Sequence, residues 1–244
     1  MNSLKNYLLL LTSFFWIEAF SQEVEPINTD RPDQSDGTYI IAENTGQIET
    51  GLLYGNDGAG YFIHNTMFRY GLGKNTEARI LIDYGKVDTA TVMLPLGISF
   101  KHQLVKQNKI LPAVTLVGYA YLPFLATKNI KPDKLPYTFL LAFQNDINDR
   151  LGVGYNVGIN SDGNSSMKNW MGTVSIGYEI MKHLSFYTEY FGQYNKHSSF
   201  DHNLDIGVLY PITKNLQWDI ALGTSLFNQA SNRFITSGIS FRFR

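Results

Sequence analysis

From residue 46 to the end, apolar and polar residues alternate in short runs, the period that puts neighbouring side chains on opposite faces of a β-strand. In "LQWDIALGTSL", Leu216, Trp218, Ile220, Leu222 and Thr224 share one face, and Gln217, Asp219, Ala221, Gly223 and Ser225 share the other. "LGVGYNVGIN" sets Leu151, Val153, Tyr155, Val157 and Ile159 against Gly152, Gly154, Asn156, Gly158 and Asn160. "NWMGTVSIGYEI" does the same from Trp170 onward. A short polar turn recurs between such runs: "LGKNT" (72–76), "INDRL" (147–151), "IMKHL" (180–184) and "ITKNL" (212–216), with "VKQNKI" (105–110) as a looser copy. Self-similarity at this spacing marks a hairpin unit repeated along the chain.

Longer polar connections alternate with these turns: "GNDGAG", "GKVDTA", "PFLATKNIKPDKLP", "NSDGNSSMKN", "QYNKHSS" and "NQASNR". Five short turns and six longer loops predict twelve strands, at 46–55, 60–71, 76–85, 91–103, 110–122, 136–146, 150–160, 168–179, 184–194, 200–210, 215–226 and 233–243. An even number of strands of this length, with short turns at one end and loops at the other, predicts an all-β, closed, antiparallel up-and-down transmembrane barrel. Closure is compulsory in lipid, where an open edge would leave backbone groups without partners. The competing architecture is a soluble β-sandwich or a lipocalin-like barrel with its apolar face inward. Twelve strands exceed what a small soluble barrel fills with side chains.

The polar face carries Glu49, Arg79, Asp83, Lys101, Gln144, Asn156, Glu179, Glu189, Asp205, Asp219 and Arg242, which the barrel reading places along the lumen. Slipping strand 215–226 by one residue would push Asp219 into lipid. A charge at the midplane costs on the order of 2–4 kcal/mol for Lys or Arg and somewhat less for Asp. Tyr54, Tyr70, Tyr84, Tyr121, Tyr137, Trp170, Tyr178, Tyr194 and Tyr210 fall near strand ends, where an interfacial girdle is expected.

Composition agrees with this picture. There are 15 Tyr, 16 Phe and 21 Gly, a balance that suits β-structure better than helix. Twenty Lys and Arg against 21 Asp and Glu give no basic face for nucleic acid. The absence of cysteine excludes a disulfide scaffold and thiol chemistry. Residues 1–21 read as a secretory signal peptide: Lys5, an apolar run from Tyr7 to Ile17, then the small residues Ala19 and Ser21 before a cut ahead of Gln22. That run is shorter than the roughly 20 residues that span a bilayer. The expected organisation is a leader (1–21), a polar segment (22–45) that is periplasmic or lumenal, and an outer-membrane barrel (46–244).

The polar segment contains "TDRPDQSDG", with Asp30, Arg31, Asp33 and Asp36. Aspartates spaced three apart, with Glu43 wrongly placed for a bidentate ligand, do not make a calcium loop. A catalytic acid pair would need a pocket and a partner. Two readings stay open: a segment folded into the barrel mouth, pairing its charges with the lumen, or a disordered periplasmic leader. Thr29, Asp30, Arg31, Pro32 and Asp33, followed by Gly46, Gln47, Glu49, Thr50 and Gly51, resemble the start of a bacterial family named for the meta-cleavage pathway of phenol degradation. Its members are exported proteins regarded as outer-membrane transporters. The resemblance implies a transporter of small, apolar or aromatic solutes, without fixing the solute.

Catalysis finds little support. The histidines are His64, His102, His183, His197 and His202, there is no G-x-S-x-G elbow, and "HSSFDH" (197–202) is a polar loop. No cofactor or metal is expected, since P-loop, dinucleotide and zinc spacings are lacking. The expected partners are outer-membrane lipids, a small solute, and the barrel-assembly machinery. The last of these would read the C-terminal strand, where Ile239, Phe241 and Phe243 share a face ahead of Arg244. A non-conducting scaffold, sealed by its own N-terminal segment, is the alternative to a channel.

Overall fold

The computed structural model describes residues 26–165, 168–196, 200–227 and 232–244. Thirteen strands follow one another: β1 (Gly46–Asp57), β2 (Ala59–Gly73), β3 (Thr76–Val87), β4 (Ala90–Met93), β5 (Leu96–Val105), β6 (Ala113–Leu122), β7 (Tyr137–Asp146), β8 (Leu151–Ser161), β9 (Asn169–Met181), β10 (Leu184–Tyr194), β11 (Asp201–Thr213), β12 (Leu216–Leu226) and β13 (Arg233–Phe243). Each pairs antiparallel with its neighbours, and β1 pairs with β13 from Gly46↔Phe243 to Asn56↔Arg233, closing the barrel.

The thirteen strands make twelve staves. β4 and β5 are one stave broken at Leu94–Pro95: β4 pairs with the far end of β3 and β5 with its near end. Proline cannot donate to the ladder, so the stave is interrupted there. The neighbouring Leu94 N–H still reaches Asp83 O at 2.9 Å.

Short connections gather at the end that also holds the C-terminus, and the longest connection, residues 123–136 with two single 3-10 turns, lies at the other. Two of the expected long loops are hairpin tips instead. "GNDGAG" shrinks to Gly58 between β1 and β2, and "GKVDTA" to Asp88–Thr89, because the flanking strands run further than expected. Both tips carry a left-handed residue, Gly58 (φ 74°) and Asp88 (φ 52°), which lets the chain reverse tightly.

The barrel is inside-out relative to a soluble domain. Its largest fully buried side chains include Arg69, Arg79, Lys101, Gln47, Glu49, Glu77 and Glu189, whereas Leu52, Phe68, Ile80, Phe139, Val174, Leu222 and Phe241 face outward. An outward apolar face and an inward polar face are what a bilayer requires. Of the girdle aromatics, Tyr54, Tyr70, Tyr84, Trp170, Tyr178, Tyr194 and Tyr210 are exposed on the outer surface. Tyr121 is not among them. It follows Tyr119 by two residues, so it shares the inward face and stacks on Tyr119 at 6.0 Å. No helix among the described residues is long and apolar enough to cross a membrane, which says nothing about strands. The expected leader and residues His197, Ser198 and Ser199 lie outside the described residues.

Candidate functional site: the lumen and its N-terminal segment

Residues 26–45 lie inside the barrel and sweep around its inner wall. The path begins where Ile27 N–H donates to Lys214 O (2.9 Å) at the short-turn end. The Gln47 side chain donates to Asn28 O (2.8 Å), and Gln217 donates to the Thr29 hydroxyl (2.8 Å). Glu49 accepts the Asp30 and Arg31 amides at 3.1 Å each. On the far wall Gln34 N–H donates to Glu189 (2.6 Å), the Ser35 hydroxyl meets both Glu189 and Thr173, and Asp36 exchanges two hydrogen bonds with the Asn156 amide. The chain then returns past β6, β5 and β3. Thr38 O accepts from Thr115 and Gln103, Ile41 N–H donates to Glu77, and Asn44 pairs with Gly71 at the entry to β1. A buried segment without secondary structure has to find partners for its backbone groups, and these wall side chains supply them.

The charges of one half of the lumen are closely paired. Alternation places Arg69 on β2, Arg79 on β3 and Lys101 on β5 on adjacent staves, with Arg69 directly opposite Arg79 in register. Such like-charge neighbours repel unless anions sit among them. Asp30 fills that role: its carboxylate meets Lys101 at 2.8 Å, Arg79 at 3.0 Å and Arg69 at 3.3 Å. Arg69 also meets Glu49 (2.7 Å) and Glu77 (2.9 Å), and Arg79 meets Asp36 (2.7 Å) while stacking over the Tyr119 ring at 4.6 Å. The Tyr119 hydroxyl donates to Asp36 at 2.8 Å. Three cations thus face four carboxylates, two of them contributed by the segment.

Arg31 crosses to the opposite side. Its guanidinium donates to Thr236 (2.9 Å), Asn65 (2.5 Å) and Asp219 (3.3 Å). It lies in a notch made by Gly51 and Gly238, which are paired across β1 and β13. A Cβ at either would collide with the guanidinium.

Asp30 and Asp33 sit three residues apart in opposite environments. Burial alone would raise the Asp30 carboxyl, but Arg69, Lys101 and Arg79 outweigh it and hold the group well below the usual carboxylate range. Burial pushes Asp33 well above that range, with Glu189, Asp30 and Asp205 adding repulsion.

The other half of the lumen is open. A cavity of about 670 Å³ separates the segment from β7–β11, lined by Gly152, Gly154, Ser175, Gly177, Glu179, Tyr187 and Asp33 among others. A second, of about 550 Å³, lies beneath Thr38–Ile40 toward the short-turn end, beside Lys74, Lys106, Gln107 and Asp146. On the far side of the segment a smaller space of about 230 Å³ is bounded by Asn65, Leu81, Asp83 and Tyr119.

The expected lumen residues therefore fall into groups. Glu49, Arg79, Lys101, Asn156, Glu189 and Asp219 are buried against the segment, and Asp205 is buried beside them. Gln144 and Glu179 line the large cavity and Asp83 the small one. Arg242 lies at the short-turn end, where it donates to Asn215 and Lys214 rather than into the centre. Of the segment residues, Asp30, Arg31 and Asp36 are in the ion-pair network and Asp33 is outside it. Arg69 and Glu77, both fully buried, were not anticipated, although "MFRYGLG" places Arg69 opposite the outward Phe68 and Tyr70. Nothing in the local pattern foretells Tyr119 or Thr173, whose roles depend on where the segment lies. Among the described residues no group of three or more His, Cys, Asp or Glu is arranged to hold a metal directly.

Known structures share this fold. The COG4313 outer membrane channel from Pseudomonas putida F1 matches with a TM-score of 0.66 at 12% identity, over 87% of this chain and 100% of that one. The NanC porin matches at 0.61 and 10% identity (80% and 98% covered), and the KdgM porin at 0.59 and 12% (81% and 99%). No curated protein matches the chain. Residues 29–243, nearly the whole chain beyond the leader, match one family model, and the protein belongs to the family described as "Putative MetA-pathway of phenol degradation".

Proposed function

We propose that this protein is an outer-membrane channel for small polar solutes, its lumen narrowed by its own N-terminal segment. The observation that carries the reading is the pair of cavities, about 670 and 550 Å³, left between the segment and a polar wall of glycine, serine and glutamine. Eight-stranded barrels are filled by side chains and sixteen-stranded ones leave a wide pore, so twelve staves with an inserted segment suit a narrow passage. An outward apolar surface and the leader at 1–21 support placement in the outer membrane after export.

The lumen favours polar solutes over the apolar or aromatic ones implied by the family resemblance. Its apolar patch, Val117, Leu140 and Ala142, is buried under Tyr119 and Met171 and offers little surface. The passage reading predicts discrete single-channel currents from the full-length protein in planar bilayers. Gly177→Trp should lower them several-fold, because nothing lies within 4 Å of a Cβ added there and the ring would enter the cavity.

The dense pairing between segment and wall favours a second reading, a barrel sealed by residues 26–45. Silence from the folded full-length protein, with currents appearing once Asp30 and Asp36 are both changed to asparagine, would establish that reading instead.

A further inference from the structure

Every lumen ion pair among the described residues runs through Arg31, Arg69, Arg79 or Lys101, and none reaches Asp33, Glu189 or Asp205. Glu189 and Asp205 are directly opposite one another on β10 and β11, a cross-strand arrangement that is unfavourable for like charges. Both Glu189 oxygens accept hydrogen bonds from the segment, as an ionised carboxylate does. Asp205 is 1% exposed, yet neither of its carboxylate oxygens has a partner. The Tyr187 hydroxyl, on a side chain 4% exposed, is likewise unpartnered, and Tyr187 and Asp33 both line the large cavity. Buried polar atoms are nearly always satisfied, so four oxygen-bearing groups around one space, with no cation among them, call for a positive ligand.

We propose that Asp33, Glu189, Asp205 and the Tyr187 hydroxyl hold a hydrated divalent cation of the Mg²⁺ type in the cavity between the segment and β10–β11. The donors are all hard oxygens, which excludes soft-metal chemistry. They do not converge for direct ligation, and Mg²⁺ keeps much of its water and is bound through one or two carboxylates. Six waters occupy about 180 Å³ at roughly 30 Å³ each, so the hydrated ion fits a cavity of about 670 Å³. Because Asp33 belongs to the segment while the other groups belong to the wall, the ion ties the two together on the side where no salt bridge does.

The test uses the full-length, metal-stripped protein folded in detergent, titrated with Mn²⁺ and followed by its electron paramagnetic resonance signal. One saturable site, competed by Mg²⁺, is expected. Asp205→Asn and, separately, Asp33→Asn should each weaken it at least about tenfold, while Asp57→Asn at the outer hairpin tip leaves it unchanged. Asp33 is outside every strand, so its variant reports even if Asp205→Asn disturbs assembly, which the gel-mobility difference between boiled and unboiled samples reveals. Absence of a saturable site in folded protein, or equal affinity in wild type and both variants, overturns the proposal. So does an infrared band of a protonated carboxyl that disappears in Asp205→Asn, since a proton would then be the neutralising ligand. Binding is read in solution without current, so a non-conducting barrel leaves the result intact.

Discussion

The two halves of the lumen solve the same problem in different ways. On β1–β6, Arg69, Arg79 and Lys101 are interleaved with Asp30, Asp36, Glu49 and Glu77, and nearly every buried charge has an opposite within 3.3 Å. On β7–β11 the wall is glycine, serine and asparagine, the segment touches it through neutral hydrogen bonds, and space is left over. A low-dielectric interior makes paired charges rigid, because removing one partner strands another. Small neutral side chains impose no such penalty. The paired half fixes the segment and the open half is where something else can pass or bind.

The largest effect expected from breaking this contrast is at Arg69. Arg69→Met leaves Glu49, Glu77 and Asp30 short of a cation and should destabilise the folded protein by about 3–5 kcal/mol. The matching change in the open half, Gly177→Ser, should stay within about 0.5 kcal/mol. Denaturant unfolding in micelles, followed by tryptophan fluorescence, compares the two, and equal losses would erase the distinction.

A smaller effect is expected at the Arg31 notch. Gly51→Val or Gly238→Val forces the guanidinium out and should cost about 1–3 kcal/mol through overpacking. The same variants should speed hydrogen exchange of the Asp30 and Arg31 amides, which are donated to Glu49, more than that of the Asp36 amide.

pH separates Asp30 from Asp33, with chelator present. Asp30 has a depressed carboxyl, so its contribution to docking is present above the ordinary value of 3.8 and is lost as pH falls below it. Asp33 is raised, so it opposes docking near neutrality, and that opposition is relieved as pH falls through its elevated value toward 3.8. Segment protection, measured by hydrogen exchange at the Ile41 amide and corrected for intrinsic rates, should rise on mild acidification and fall below pH 3.8. Asp33→Asn should abolish the rise and Asp30→Asn the fall. The smallest effect is expected at Glu179, half-buried at the cavity margin. Glu179→Gln should leave stability within about 0.5 kcal/mol and alter only the cation preference of any current.

Much of the barrel was legible because alternation is local. The strands at 184–194 and 233–243 match their expected bounds, and inward Asp219 and Asn156 follow from the same period that turns Trp218 and Val157 outward. The break at Pro95 and the hairpin tips at Gly58 and Asp88 were less visible, since strand length there is decided by pairing partners. Tyr121 shows why composition misleads: an aromatic near a strand end suits a girdle, but its parity with Tyr119 sends it inward. The charges of residues 30–36 announced a lumenal segment as one of two readings. Which wall residues meet it depends on contacts more than 100 residues apart in sequence, such as Ser35 with Thr173 and Arg31 with Asp219.

The placement of the segment is tested most directly by a disulfide, since the chain has no cysteine to interfere. The Ser35 and Thr173 hydroxyl oxygens are 2.5 Å apart, so cysteines at both positions have their sulfurs within bonding reach. The Ser35→Cys/Thr173→Cys protein, folded and mildly oxidised, should form the intramolecular bond nearly quantitatively and lose its thiol labelling. Two thiols that stay reactive in a folded barrel would contradict a segment held inside the lumen.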